Sequence, residues 1–385
     1  MIGNRFDIYS MIYFHIPFCK QACHYCDFHF STSLKYKEEL LQALQKEVAL
    51  RSHYLADKTI QSIYFGGGTP SLLTAEEIQR LIDRVAAHFE IANDAEITLE
   101  ANPDDLDKAK VQALRHTYIN RFSIGIQSFY EEDLRWMNRA HNASEAESSI
   151  KRVQDVGFEN ITADLIYGYP LLTNAKWRSN MEKLLAFDIP HISSYAMTVE
   201  QKTALAHFIR SGKTPPMQEP QSAEQMNMLI ETLTQNGFAH YEISNFAKNG
   251  QYAKHNTAYW QGKHYLGIGP SAHSFDGKSR SWNVANNAHY IEGITTEKPA
   301  YETENLSRED QFNEYVMTSL RTMWGIDLEK IMLVFGADTK QHLLSNIQPF
   351  IAQQKIELVD ERYLTLTMKG KLLADYIASE LFLIH

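Results

Sequence analysis

A chain of 385 residues with 44% hydrophobic and 11% aromatic residues has the make-up of a globular protein with a full core. Its length allows two to three domains, although one α/β barrel can absorb about 250 residues. The net charge of −10 excludes a general nucleic-acid binder, which needs a basic surface, and the chain has neither a long apolar run that would span a membrane nor the apolar stretch of a signal peptide in its first ten residues.

In chain order, the first β-rich run, Met11–His15, leads into a loop with the only three cysteines of the chain, Cys19-Lys-Gln-Ala-Cys23-His-Tyr-Cys26. A disulfide framework normally uses an even number of cysteines spread along the chain. An odd, packed set suits metal or cluster ligation. Iron–sulfur clusters usually take four cysteines, so three leave one iron without a protein thiolate. An open metal position is where catalytic sites bind substrate or cofactor. Zinc is the competing reading, since His15, His24 and His29 lie close by and Cys3His is a zinc set, but zinc ligands usually come as two separated pairs. Unpaired thiols and no export signal point to the cytoplasm.

Leu40, Leu41, Leu44 and Val48 then form a stripe of helical period. A strand over Ile60–Phe65 ends in Gly66-Gly67-Gly68-Thr69-Pro70. Thr74 and Glu77 have capping-box spacing ahead of a second stripe, Ile78, Leu81, Ile82, Val85 and Phe89. Further strands are expected over Glu96–Glu100, Arg121–Ile126, Ile161–Ile166 and His191–Ala196. Ser144 with Glu147 reads as another capping box, and Gly157 as a helix C′ residue. Alternating strands and helices imply a parallel sheet with right-handed crossovers. Six units are too few for an eight-fold barrel and enough for a partial one, while spacing alone also permits an open doubly wound sheet. The polar residues decide, because barrel sites lie at the C-terminal ends of strands. Five successive strands deliver cysteines, glycines, Glu100, Gln127 or Asp164 to one rim.

Ser211–Pro220 reads as a turn-rich loop. Further on, Gly267-Ile-Gly269-Pro270-Ser271-Ala272-His273 has the wrong spacing for a phosphate loop, and it either closes the barrel or lines a ligand pocket. His264 and His273 have no assigned role. A boundary falls near Ile294–Asn305. Beyond it, Phe312, Tyr315, Val316 and Leu320 predict a helix ending at Gly325, followed by a helix around Lys340–Gln354. A hairpin of Ile356–Val359 with Tyr363–Leu366 turns at Asp360-Glu361, and a last helix starts at Lys369. Helices plus a hairpin suggest a winged-helix-like shape. Residues 301–385 hold 8 Lys and Arg against 13 Asp and Glu, a net of −5, the wrong sign for phosphate binding. The segment reads as a lid or a partner-docking module.

Cys19-x3-Cys23-x2-Cys26 resembles the signature of radical S-adenosylmethionine enzymes, and Gly66–Pro70 resembles their glycine-rich motif. Tyr13-Phe-His-Ile-Pro-Phe-Cys19 and Asp164-Leu-Ile-Tyr-Gly-Tyr-Pro170 resemble the oxygen-independent coproporphyrinogen oxidase-like group over nearly the whole chain. That resemblance implies an α/β fold, a partial (β/α)6 barrel with a small C-terminal α+β domain. Residues 1–240 would form the barrel core, 241–298 would complete it, and 299–385 would be the C-terminal domain. It also implies a [4Fe–4S] cluster on Cys19, Cys23 and Cys26, with S-adenosylmethionine on the open iron. Tyr13 and Tyr25 would flank that cofactor, and Gly67, Gly68 and Thr69 would hold its methionine end. Glu100, Gln127, Arg139 and Asp164 match its polar contacts, as carboxylates accept from ammonium or hydroxyl groups and arginine pairs with a carboxylate.

Two functions compete within the group. Porphyrinogen oxidases carry a fourth cysteine two residues after the third, where this chain has Phe28. Phe28 instead matches HemW-type heme chaperones, which also carry the motif found here as His255-Asn256-Thr257-Ala258-Tyr259-Trp260. Neutral imidazole is a normal axial ligand of heme iron, and Tyr259 and Trp260 could stack on a porphyrin. The resemblance therefore implies a heme chaperone that passes heme to apo-hemoproteins, membrane-associated respiratory enzymes among them, and leaves a homodimer open. The alternative is coproporphyrinogen III decarboxylation in porphyrin biosynthesis. No catalytic residue is assigned, and whether the chain turns over a substrate stays open.

Overall fold

The computed structural model describes residues 9–383. The expectation of no signal peptide concerns mainly residues 1–8, which lie outside the described residues. The expected strands are all present as β1 (Ser10–Ile16), β2 (Thr59–Gly67), β3 (Glu90–Ala101), β4 (Arg121–Gln127), β5 (Ile161–Tyr167) and β6 (His191–Ala196). Neighbours from β1 to β6 pair in parallel. The crossovers are α1 (Lys37–Leu50), α2 (Ala75–Ala86), α3 (Lys108–Leu114), α4 (Glu131–Trp136), α5 (Ala143–Asp155) and α6 (Asn174–Leu185). Side chains alternate across each strand. Ile12, Phe14 and Ile16 thus join Leu40, Leu44 and Val48 of α1 in the apolar core, while Tyr13 and His15 face the barrel interior.

The helix ends follow their capping chemistry. Thr74 and Glu77 form the expected reciprocal box. The Ser144–Glu147 box is corrected to Asn142–Glu145, where Asn142 Oδ1 accepts from the Glu145 N–H and Glu145 Oε2 from the Asn142 N–H, both at 2.9 Å. Asn142 is extended and therefore precedes the helix, whereas Ser144 already lies within it. Gly157 ends α5 at φ +91°, left-handed backbone that glycine adopts without steric cost.

After β6 come α7 (Ala204–Arg210), α8 (Glu219–Gln235), β7 (Ala239–Glu242), β8 (Asn245–Ala247), α9 (Lys254–Trp260), β9 (His264–Ile268), β10 (His273–Phe275), β11 (Ser279–Asn283), α10 (Asn287–Thr295) and β12 (Tyr301–Asn305). The glycine segment after His264 supplies β9, a further parallel strand beside β1. A Cβ on Gly267 would lie 2.0 Å from the His273 carbonyl oxygen, so only glycine lets β10 fold back there. The sheet runs β12-β11-β10-β9-β1-β2-β3-β4-β5-β6-β8-β7, an open barrel of twelve strands. β12, within the expected boundary segment, is its edge strand.

The remaining residues form α11 (Arg308–Leu320), β13 (Ile326–Asp327), α12 (Leu328–Phe335), α13 (Ala337–Asn346), α14 (Gln348–Ala352), β14 (Ile356–Val359), β15 (Tyr363–Leu366), α15 (Met368–Lys371) and α16 (Ala374–Glu380). They build a separate core around Phe312, Val316, Ile331, Leu364 and Ile377. The hairpin turns at Asp360 and Glu361, both with positive φ, as expected. Three expectations need correction. α11 stops at Leu320, five residues short of Gly325. The Lys340–Gln354 helix is two helices, because Pro349 has no N–H to continue α13. The last helix is likewise split into α15 and α16, and α12 was not foreseen.

Candidate functional site

At the C-terminal ends of the parallel strands lies a cavity of about 440 Å³. Its wall includes Cys19, Cys23, Cys26, Tyr25, Gly67, Gly68, Thr69, Glu100, Gln127, Arg139 and Asp164. Among the residues expected from sequence to bind the cluster or S-adenosylmethionine, only Tyr13 is missing from that wall. It sits one layer further in, its ring 6.1 Å from that of Tyr64. The register explains this, since Tyr13 pairs with Tyr64 and only the following inward residue, His15, reaches the level of Gly66.

Backbone bonds hold the cysteine loop and the glycine loop together. The N–H groups of Gly68 and Thr69 donate to the carbonyls of Ile16 and Phe18 at 2.9 and 2.7 Å. A Cβ on Gly68 would lie 2.7 Å from the Phe18 oxygen, and one on Gly67, at φ +105°, would lie 2.7 Å from the His15 ring. His24 N–H donates to Met137 O, and the Asn138 amide to Ala22 O, so the end of α4 braces the other side of the loop.

Arg139 Nη2 donates to Asn102 Oδ1 at 2.6 Å and to Gly125 O at 3.0 Å, and Nη1 reaches Cys23 Sγ at 3.5 Å and Tyr25 Oη at 3.4 Å. Its Nε is buried with no hydrogen-bond partner, and so is Gln127 Oε1. Gln127 holds a left-handed φ of 62°, which bends the backbone at this strand end. Burial pushes the Glu100 carboxyl up to about 7, against the lowering effect of the hydrogen bond from Tyr64. Burial also raises Asp164 to about 6, opposed by Arg121, and raises the Cys26 thiol to about 11 and the Cys19 thiol above its ordinary value. Orphaned polar atoms and desolvated acids and thiols are what a cavity shows when its groups are shaped for a polar, charged ligand.

The sequence reading missed Asn102, which orients Arg139 and whose Nδ2 lies 3.4 Å from Thr69 Oγ1. Its place directly after Glu100-Ala, at a strand end, was the available signal. Phe28, 66% exposed, also belongs to the cavity wall.

The motif on α9 lies behind the cavity, at the opposite end of the barrel interior. Glu96 of β3 accepts from the N–H groups of Lys254 and His255 at 3.0 Å each, capping the helix. His255 is 1% exposed, with Ser62 Oγ 2.8 Å from Nδ1 and Tyr259 Oη 3.0 Å from Nε2. Burial lowers its pKa to about 3, which keeps the imidazole neutral. Tyr259 packs edge-on against Tyr265, Trp260 lies under the Arg321 guanidinium, and Asn256 is half-buried. His255 and the Tyr259 hydroxyl are therefore engaged within the protein in this conformation. Nor is the motif remote from the cavity, because the Tyr64 ring lies 5.0 Å from that of His255 while its hydroxyl donates to Glu100 at 2.7 Å. His264 stands beside Gly277, and His273 stacks on Trp282.

Residues 13–184 match the Radical SAM superfamily, and residues 306–373 match the HemN C-terminal domain. The chain is 32% identical over 95% of its length to a Bacillus subtilis (strain 168) protein named heme chaperone HemW, covering 97% of that protein. It is 36% identical over 68% of its length to the Escherichia coli (strain K12) protein of the same name, covering 69% of it. It shares the fold of the Escherichia coli coproporphyrinogen III oxidase HemN, with a TM-score of 0.84 at 24% identity over 97% of this chain and 90% of that one. The chain belongs to the radical S-adenosylmethionine superfamily and, within it, to the HemW family.

Proposed function

We propose, from that membership and from the barrel's geometry, that this chain is a heme chaperone: it binds heme and hands it to apo-hemoproteins. The observation that carries the proposal is one barrel with three thiols at its open end and a neutral imidazole in its floor. A four-iron cluster and S-adenosylmethionine fit the open end. Cys19, Cys23 and Cys26 would hold the cluster, which when bound supplies redox-active iron with one position open to a chelating ligand. The glycine loop leaves room for backbone contact, and the unpartnered Gln127 Oε1 and Arg139 Nε await polar groups. Glu100 and Asp164 are acceptors for ammonium or hydroxyl groups. The terminal nitrogens of Arg139 are engaged with Asn102, Gly125, Cys23 and Tyr25, which leaves Nε as the part of its guanidinium open to a ligand.

Heme iron would take His255 Nε2 in place of Tyr259 Oη, which requires α9 to move from its closed position. Acceptors would be apo-hemoproteins, including respiratory enzymes at a membrane, reached from the cytoplasm by a monomer or a homodimer. No helix among the described residues is long and apolar enough to cross a membrane. Phe28, standing where porphyrinogen oxidases carry cysteine, is the reason decarboxylation is not proposed.

The test is a heme titration of anaerobically reconstituted protein, followed by mixing with an apo-hemoprotein. The heme absorbance should saturate at a defined stoichiometry and then shift to that of the acceptor. His255→Ala should weaken binding at least tenfold while the cluster absorbance stays. Unchanged heme affinity in that variant would remove the assigned site, and turnover of coproporphyrinogen III would replace the chaperone reading with the enzyme.

A further inference from the structure

We infer that Tyr64 couples the two ends of the barrel, so that a ligand on Glu100 makes His255 harder to release. The inference rests on the cofactor and heme sites proposed above. Along β2 the inward residues are Ser62, Tyr64 and Gly66, at the two-residue period of a strand. Each touches a different level of the barrel. Ser62 holds His255 Nδ1, Tyr64 lies against the imidazole with its ring centroid 5.0 Å away, and Gly66 clears the level of Glu100.

The layer is built around Gly66. Tyr13 stacks on Tyr64 at 6.1 Å and an interplanar angle of 23°. A Cβ on Gly66 would lie 2.9 Å from both tyrosine rings and 3.1 Å from Glu100 Oε1. Tyr64 therefore cannot shift without disturbing Glu100 above it or His255 below it. Its hydroxyl donates a 2.7 Å bond to Glu100.

The sign of the coupling follows from that bond. A ligand ammonium or hydroxyl donating to Glu100 favours the ionised carboxylate, and an ionised carboxylate is the stronger acceptor for the Tyr64 hydroxyl. A firmer bond pins the Tyr64 ring against His255, which must leave its pocket to reach a heme. Coupling between two sites is reciprocal, so bound heme must weaken the cofactor by the same factor.

The experiment is a heme titration of cluster-loaded protein with and without saturating S-adenosylmethionine, alongside the converse titration of S-adenosylmethionine with and without heme. Heme affinity should fall about fivefold or more when the nucleoside is present, the lower range of coupling between distinct sites. The converse titration should give an equal factor. Tyr64→Phe keeps the ring and its packing but loses the hydroxyl, so both differences should vanish while heme and S-adenosylmethionine each still bind. Equal heme affinity in both conditions for the wild type overturns the coupling, and so does a full difference surviving in Tyr64→Phe. Heme binding that is indifferent to His255→Ala, or a cavity that binds no S-adenosylmethionine, overturns the underlying site reading instead. That separates the two failures.

Discussion

The rim and the floor of this barrel are built from the same strands and end in opposite states. At the rim, Glu100, Asp164, Cys19 and Cys26 are desolvated, and Gln127 Oε1 and Arg139 Nε have no partner. At the floor, His255 is satisfied at both ring nitrogens, and Glu96, which caps α9, also stands 3.6 Å from Arg121. Arg121 in turn reaches Thr162, which lies 3.0 Å from His191, whose Nε2 is 2.6 Å from Tyr241. A polar group left unpaired in the interior costs about 1–3 kcal/mol. The rim thus carries energetic cost that a ligand can relieve. At the floor, by contrast, His255 is bonded at both nitrogens and a ligand must first open those bonds, although Thr98 Oγ1 and Thr257 Oγ1 nearby are unpaired.

Four changes would break or sharpen that contrast. The largest effect belongs to Cys23→Ser at the rim, which should abolish the cluster; iron and sulfide analysis after anaerobic reconstitution reads it, and a full cluster complement would contradict the ligand set. Next is Glu96→Ala in the floor. It strands the buried Arg121 charge and uncaps α9, and should cost about 3–5 kcal/mol in urea denaturation. A loss under 1 kcal/mol would mean that Glu96 does not tie α9 to Arg121.

The third change is pH. Burial raises Glu100 to about 7 and Asp164 to about 6, so the empty cavity favours their neutral forms at low pH. An ammonium-bearing ligand needs them ionised. Affinity for S-adenosylmethionine should therefore rise as pH increases through 6 and 7 and level off above that window, with the pair titrating as a unit. The stability of the empty protein should move the other way. Raised folded values favour the neutral acids, so stability falls as pH climbs from the unfolded carboxylate range toward 7. Glu100→Gln should remove the upper part of both slopes; calorimetric titration against pH and thermal melts check them.

The smallest effect is Tyr259→Phe. It removes the hydroxyl from His255 Nε2 and keeps the ring on Tyr265. Loss of one hydrogen bond should cost about 1 kcal/mol of stability and raise heme affinity by roughly fivefold, because the imidazole is less firmly held. Weaker heme binding would assign Tyr259 to the heme itself.

Much of the rim was legible in the chain because strand ends announce themselves locally. Glycines, cysteines and polar residues break the apolar run where the strand stops, and the partial barrel puts those stops on one face. Asn102 was overlooked because its role depends on Arg139, 37 residues away, folding back onto it. That Tyr13 sits one layer below the cavity wall was not legible for a similar reason. Period two tells which strand residues face inward, but the pairing of β1 with β2 decides their depth. The Ser144–Glu147 box failed against Asn142–Glu145, an equal spacing two residues earlier, because only the backbone shows which residue precedes the first turn.

The amino-acid sequence by itself determined the strands, the glycine and cysteine loops, and the residue types a cluster and a polar cofactor need. Those signals are local, set by side-chain periodicity and by where apolar runs end. Only the tertiary structure decided that His255 is shut inside the floor and that Tyr64 stands between it and Glu100. Both facts depend on the relative level of strands and a helix brought together from distant parts of the chain, and no spacing along the chain encodes that level.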